Sequence, residues 1–144
     1  MNRITVLAVL SIAALPAFAQ SLGEQKQLLQ WQGWLDAKVS LFQEKCGYAL
    51  GAKLDPNLVA PFVAQKQVAS NYCQAVADGM AHMCDDPTSK AAIAARVKAL
   101  RCSHKPGDRN GSFSLAADGT LTFAFDVDTP NISDKTKAYL EKTL

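Results

Sequence analysis

The sequence predicts an α+β fold, about four helices with a small three-stranded antiparallel sheet, and three observations predict it. One apolar stripe at steps of three and four runs through residues 21–46. Beyond Leu100 the apolar period changes from helical to alternating. The elements follow the order helix, short extended segment, two helices, three strands, helix, which suits a small sheet packed against helices better than alternating β-α units.

The first helix is read from Leu28, Trp31, Leu35, Val39, Phe42 and Cys46, with Trp34 and Leu41 beside the stripe and expected to widen its packed face. Ser21 and Glu24 have the spacing of a capping box, and Gly47 is placed to end the helix. Tyr48, Leu50, Ala52 and Leu54 alternate with smaller or polar residues, a short strand or extended crossing weakened by Gly51. Asp55-Pro56 reads as a cap with a first-turn proline. A second helix is expected over residues 61–82, with Phe62, Ala69, Cys73, Val76, Met80 and Met83 as its stripe and Gly79 as a weak point. Asp85-Asp86-Pro87 stops it and starts a third helix, whose buried side is Ile93, Val97 and Leu100. Strands are expected near 100–105, 111–116 and 120–127, with Asp118-Gly119 as a hairpin turn. Leu100, Cys102 and His104 fall on one face of the first of these. Asn131 or Ser133 caps a last helix containing Ala138, Tyr139, Leu140 and Leu144.

The chain opens with the parts of a secretory leader. Arg3 is the only charge before an apolar run over residues 4–15, and Ala17 and Ala19 are the small residues at −3 and −1. The run is shorter than the roughly 20 residues that cross a bilayer. Cleavage is expected after Ala19, leaving residues 20–144 as a single disulfide-stabilised domain with no membrane segment. The leader is bacterial in form, which places the mature domain in the periplasm or outside the cell. Asn110-Gly111-Ser112 and Asn131-Ile132-Ser133 match glycosylation sequons, but carry little weight behind a bacterial leader.

Composition excludes some functions. The whole chain has 15 basic and 13 acidic residues, and the leader holds one of the basic ones, Arg3. So balanced a charge, with no basic run, offers nucleic acid no electrostatic footprint. All four cysteines, Cys46, Cys73, Cys84 and Cys102, lie beyond the leader, and an even count in an exported chain reads as two disulfides. Helix lengths choose the pairing. Along one helix Cys73 and Cys84 stand about 16 Å apart, and a 13-residue helix separates Cys84 from Cys102 by roughly 20 Å. A disulfide needs Cα atoms within about 7 Å, so Cys46–Cys84 and Cys73–Cys102 remain. That pairing requires the first and second helices to run parallel.

Candidate chemistry is sparse. Met80, His82 and Met83 offer the thioether and imidazole donors that suit copper(I), but both methionines lie on the apolar stripe and the neighbouring Cys84 is consumed by a disulfide. Asp126 and Asp128 share a strand face with Asn131 and Asp134 close behind, an oxygen set for calcium interrupted by Pro130. Asp85-Asp86 is explained by helix capping. His82 and His104 are the only histidines, and no nucleophile-elbow or C-x-x-C motif accompanies them. No catalytic, cofactor-binding or metal-binding residue is therefore assigned. The expectation is a non-enzymatic periplasmic or secreted binding protein of inhibitor or immunity type, acting on a protein or cell-envelope partner. Its loops at 105–111 and 129–133 and an aromatic patch at Trp34 or Tyr139 are the candidate surfaces. Copper handling through Met80, His82 and Met83, or a hydrolase, are the alternatives.

Overall fold

The computed structural model describes residues 20–144, and the expected leader, residues 1–19, lies outside the described residues. Helix α1 spans Leu22–Cys46, begins with the reciprocal Ser21–Glu24 capping box and ends at Gly47 in the left-handed region at φ 78°. Trp31, Leu35, Val39, Phe42 and Cys46 form its buried stripe, one residue in every three or four.

Strand β1 (Gly51–Leu54) follows, then a short 3-10 turn (Pro56–Leu58) and helix α2 (Val59–Ala64). The single second helix expected over 61–82 is two helices, with α3 covering Ala69–Met83. Lys66 takes φ 55° between them, and the Gln67 N–H donates to Phe62 O at 2.8 Å. The Gln67 side chain then donates to Asp128 and accepts the Tyr72 hydroxyl proton. The bond to Asp128, 61 residues away, ties the break between α2 and α3 to the end of the sheet. Helix α4 (Pro87–Arg96) starts at Asp86, whose carboxylate accepts the Ser89 N–H at 2.7 Å.

The sheet also departs from expectation. It has four strands, not three, and it is mixed, in the order β1-β2-β4-β3, with β2 at Ala99–His104, β3 at Ser112–Leu115 and β4 at Thr120–Phe125. β1 pairs parallel with β2, β2 pairs parallel with β4, and only β3–β4 is antiparallel. The loop after β2 carries the chain past one strand position to the far edge, and the Asp118-Gly119 turn returns it into the gap. The strand with the strictest apolar alternation, Leu121, Phe123 and Phe125, thereby takes an interior position, and the serine-bearing β3 takes an edge.

Leu54, Leu100, Cys102, Leu121, Phe123 and Phe125 face the helices, while Lys53 and Arg101 project from the opposite, solvated face. Helix α5 (Ile132–Thr143) closes the domain against α3. There Gly79, read from sequence as a weak point, is a point of close approach. A Cβ on it would come within 2.5 Å of Ser133 O and 2.9 Å of Thr136 Cβ.

Both disulfides are those deduced from helix lengths. Cys46–Cys84 joins the C-terminal ends of α1 and α3 with Cα atoms 5.5 Å apart, and Cys73–Cys102 ties α3 to β2 at 6.1 Å. The two helices run parallel, as that pairing requires, with ion pairs Lys38–Asp78 at 2.7 Å and Lys45–Asp85 at 2.9 Å in step along them. Two disulfides belong to a chain matured in an oxidising compartment. Among the described residues no helix is long and apolar enough to cross a membrane.

Candidate functional site

Two regions hold the residues that sequence singled out. The first is a polar corner where the C-terminal ends of β2 and β4 meet the 105–111 loop. His104 Nε2 lies 2.9 Å from Asp126 Oδ1, with both side chains mostly buried. The imidazole ring packs edge-on against Phe62. Asp126 also accepts the N–H of Gly107 at 2.7 Å and of Val127 at 2.8 Å. The His104 bond and these two backbone donors, in that order, hold its carboxyl at about 2, below its ordinary 3.8.

Beside this pair a second cluster is closed on itself. The Ser112 hydroxyl donates to Asp108, Lys105 Nζ sits 3.0 Å from the same carboxylate, and the Gly111 N–H donates to it at 3.0 Å. The Ser112 hydroxyl and Lys105 lower the Asp108 pKa. The Ser112 hydroxyl is thus engaged by another acid, and the Thr129 hydroxyl donates to the Asp126 carbonyl oxygen at 2.8 Å. The His104 side chain bonds to Asp126, and no serine joins it to form a Ser-His-Asp arrangement among the described residues. The cysteines offer no thiol, since none is free. The chemistry of the corner is that of a clamp: one carboxylate gathers a side chain and two backbone donors, and so binds the end of β2, the 105–111 loop and the end of β4.

The calcium-like oxygen set is not brought together. Asp126 faces His104 and Gly107, whereas Asp128 Oδ1 accepts from Gln67 Nε2 at 2.5 Å. Asn131 takes φ 55° ahead of α5 with no side-chain cap bond, and Asp134 is exposed on that helix. Met80, His82 and Met83 are also divided: both methionines are buried in the core and His82 is exposed beside α1. Among the described residues no group of three His, Cys, Asp or Glu side chains is arranged to hold a metal ion. Asp86 caps α4, as read from sequence, whereas Asp85 is not part of the cap and pairs with Lys45.

A groove of about 650 Å³ is lined by Gln20, Glu24, Asp55, Pro56, Asn57 and Arg101, among others, and Asn57 also bonds to the His104 backbone. Its charges are already matched. Arg101 forms a two-pronged pair with Asp55 at 3.0 and 2.9 Å, and Glu24 belongs to the α1 cap. Buried polar groups without a partner among the described residues are the hydroxyls of Tyr48 and Ser70, and burial pushes the Tyr48 phenol pKa up.

The second region is the outer side of α1. Leu22, Leu29, Trp34 and Leu41 are 67%, 73%, 45% and 58% exposed. This corrects the expectation that Trp34 and Leu41 widen the packed face. Trp31 fills the core, and the 25-residue helix is covered on one side only. Trp34 and Leu41, with Ala37 and Lys38, border a shallow groove against Asn71 and Gln74 of α3. Tyr139, the other aromatic expected at the surface, stacks on Phe113 with ring centres 5.4 Å apart and is half-buried. The missed signal in the sequence is the pair of i, i+7 repeats Leu22–Leu29 and Trp34–Leu41, which fall outside the buried stripe. No protein-family model, curated protein or solved structure matches the chain.

Proposed function

We propose that this chain is an exported, non-enzymatic binding protein of the periplasm or extracellular space, and that α1 is its docking element. The supporting observation is the set of large apolar side chains exposed along that helix. Among the described residues five large apolar chains are exposed, and all but Val63 belong to α1. Scattered surface leucines need no explanation, but three leucines and a tryptophan exposed on the outer side of one helix do. The rest of the fold suits a carrier of such a surface. Two disulfides and the His104–Asp126 clamp hold the sheet and α3 rigid behind α1. The polar clusters elsewhere are internally satisfied, which favours binding over chemistry at those places. The inhibitor or immunity type of partner remains part of this reading, with a protein or cell-envelope component as the ligand.

The test is capture from envelope extract with the disulfide-intact chain and with a Leu29→Glu/Leu41→Glu variant. The wild type is expected to retain a partner that the variant releases. Trp34 fluorescence is expected to shift to the blue on binding, since the indole leaves water. A partner held equally by both proteins would refute α1 as the docking element.

A further inference from the structure

We infer that the apolar side of α1 is covered by a second copy of this chain, packed antiparallel across a two-fold axis level with Leu35. The inference rests on the binding-face reading above and names its occupant. Leu29, Gly33, Ala37 and Leu41 follow one another at i+4 along the exposed side, opposite Leu35, which is fully buried. Large, small, small, large is the same pattern read in either direction. A two-fold axis at position 35 places Leu29 beside Leu41 of the second copy, and Gly33 beside its Ala37. An interface of this kind must be self-complementary, and this row is.

Two further features on the same side fit the same axis. Gly33 has no reason within its own chain: a Cβ there meets nothing within 4 Å. Glycine inside an exposed helix costs about 1 kcal/mol relative to alanine, and it also lets a neighbouring backbone approach. The charges agree as well. Lys26 and Glu44 are exposed, lie five helical turns apart on this side, and form no ion pair with any described residue. Lys38 and Lys45, on the side toward α3, are both paired. The axis that superposes the leucines brings Lys26 of each copy to Glu44 of the other, two reciprocal ion pairs from residues otherwise left free.

The contact is small. A 25-residue helix is about 38 Å long and presents a strip roughly 10–12 Å wide, on the order of 400 Å² per copy. That is half the roughly 800 Å² per partner of a standard stable interface. The dimer is therefore a weak, reversible one.

Sedimentation equilibrium of the disulfide-intact chain from about 5 to 500 µM reads the association directly. Leu29→Glu is expected to weaken it at least tenfold. Lys26→Glu and Glu44→Lys are each expected to weaken it several-fold, and the two together to restore it to within about twofold of wild type. All these side chains are exposed, so circular dichroism and intact disulfides serve as the folding control. A parallel pairing sets Lys26 against Lys26 and Glu44 against Glu44, and a reversal carried by both copies only exchanges one like-charge pair for another; single reversals that leave association unchanged overturn the proposal. So does a dimer that survives Leu29→Glu, or a chain that stays monomeric throughout. If that monomer captures an envelope component that Leu29→Glu releases, the α1 docking reading stands and only self-association is lost. If Leu29→Glu releases nothing, both are lost.

Discussion

The side-chain amide of Gln32 grips the backbone of Leu54 as a neighbouring strand would, accepting the Leu54 N–H at 3.0 Å while donating to Ala52 O at 2.9 Å. β1 bonds to β2 through alternate residues, so the outward groups of Ala52 and Leu54 face away from the sheet. Gln43 repeats the device one step earlier, donating to Leu50 O at 3.2 Å. Helix α1 thus closes a sheet edge that would otherwise offer unpaired backbone groups to other chains.

Gln32→Ala removes both bonds at once. It is expected to destabilise the domain by about 1–3 kcal/mol, because two partly buried backbone groups lose their partners. It is also expected to raise light scattering on heating, since the edge is opened. Urea unfolding followed by circular dichroism checks the first effect; an unchanged midpoint with an unchanged slope sinks it.

Gly79→Ala improves helix propensity by about 1 kcal/mol in isolation, yet a net loss is expected. The new methyl group would meet Ser133 O and Thr136, and α5 must shift to admit it. Overpacking of this kind costs about 1–3 kcal/mol or more. Thermal unfolding decides between propensity and packing, and a variant more stable than wild type would show that α5 yields freely.

Replacing Cys73 and Cys102 with alanine removes a link between residues 29 apart in sequence, and replacing Cys46 and Cys84 removes one between residues 38 apart. The chain-entropy model assigns about 3.5–4 kcal/mol to each. The first pair is expected to be the more damaging, because both of its cysteines are fully buried and their loss leaves cavities at the junction of α3 and β2. Cys84 lies closer to the surface. Denaturant midpoints of the two double variants test the order, and equal or inverted losses contradict it.

Asp126 has a folded-state pKa of about 2, below its ordinary 3.8, through the His104 bond first and the Gly107 and Val127 N–H groups next. A depressed pKa means that the ionised form favours folding. The contribution is complete above the unfolded value of about 3.9 and is lost as pH falls through the folded one. Asp126→Asn is therefore expected to cost about 1.5–3 kcal/mol near neutral pH, and the gap to wild type is expected to close between about pH 4 and pH 2. Unfolding midpoints measured across that range test the sign; a gap that stays constant or widens in acid removes Asp126 as its source.

The two tryptophans show where a pattern in sequence stops being informative. Trp31 is buried and Trp34 is half-exposed, though both adjoin the same stripe. Helical period says which residues share a face, but the width of the buried face depends on how many elements cover the helix. Here α3, β1 and α2 supply most of that cover, and the buried residues of α1 lie along a single stripe. The polar corner was hidden for a related reason. His104 and Asp126 are 22 residues apart, and nothing local in either segment announces the other. The break at Lys66 follows the same rule in part, since one of the bonds that hold Gln67 reaches to Asp128, 61 residues away.

Local information was enough for α1 with its cap and its glycine stop, for the start of α4 at Asp86, for the turn at Asp118-Gly119 and for the cysteine pairing. Each of these depends on neighbours within a few residues, or on the fixed rise of a helix acting as a ruler. The order and direction of the strands, the sealing of β1 by Gln32, the close approach at Gly79 and the bare side of α1 were decided by tertiary structure alone. Strand alternation is the same for a parallel and an antiparallel neighbour, so sequence period carries no record of which strand lies beside which. That choice belongs to long-range packing, where interior positions go to the strand with the most apolar surface to bury.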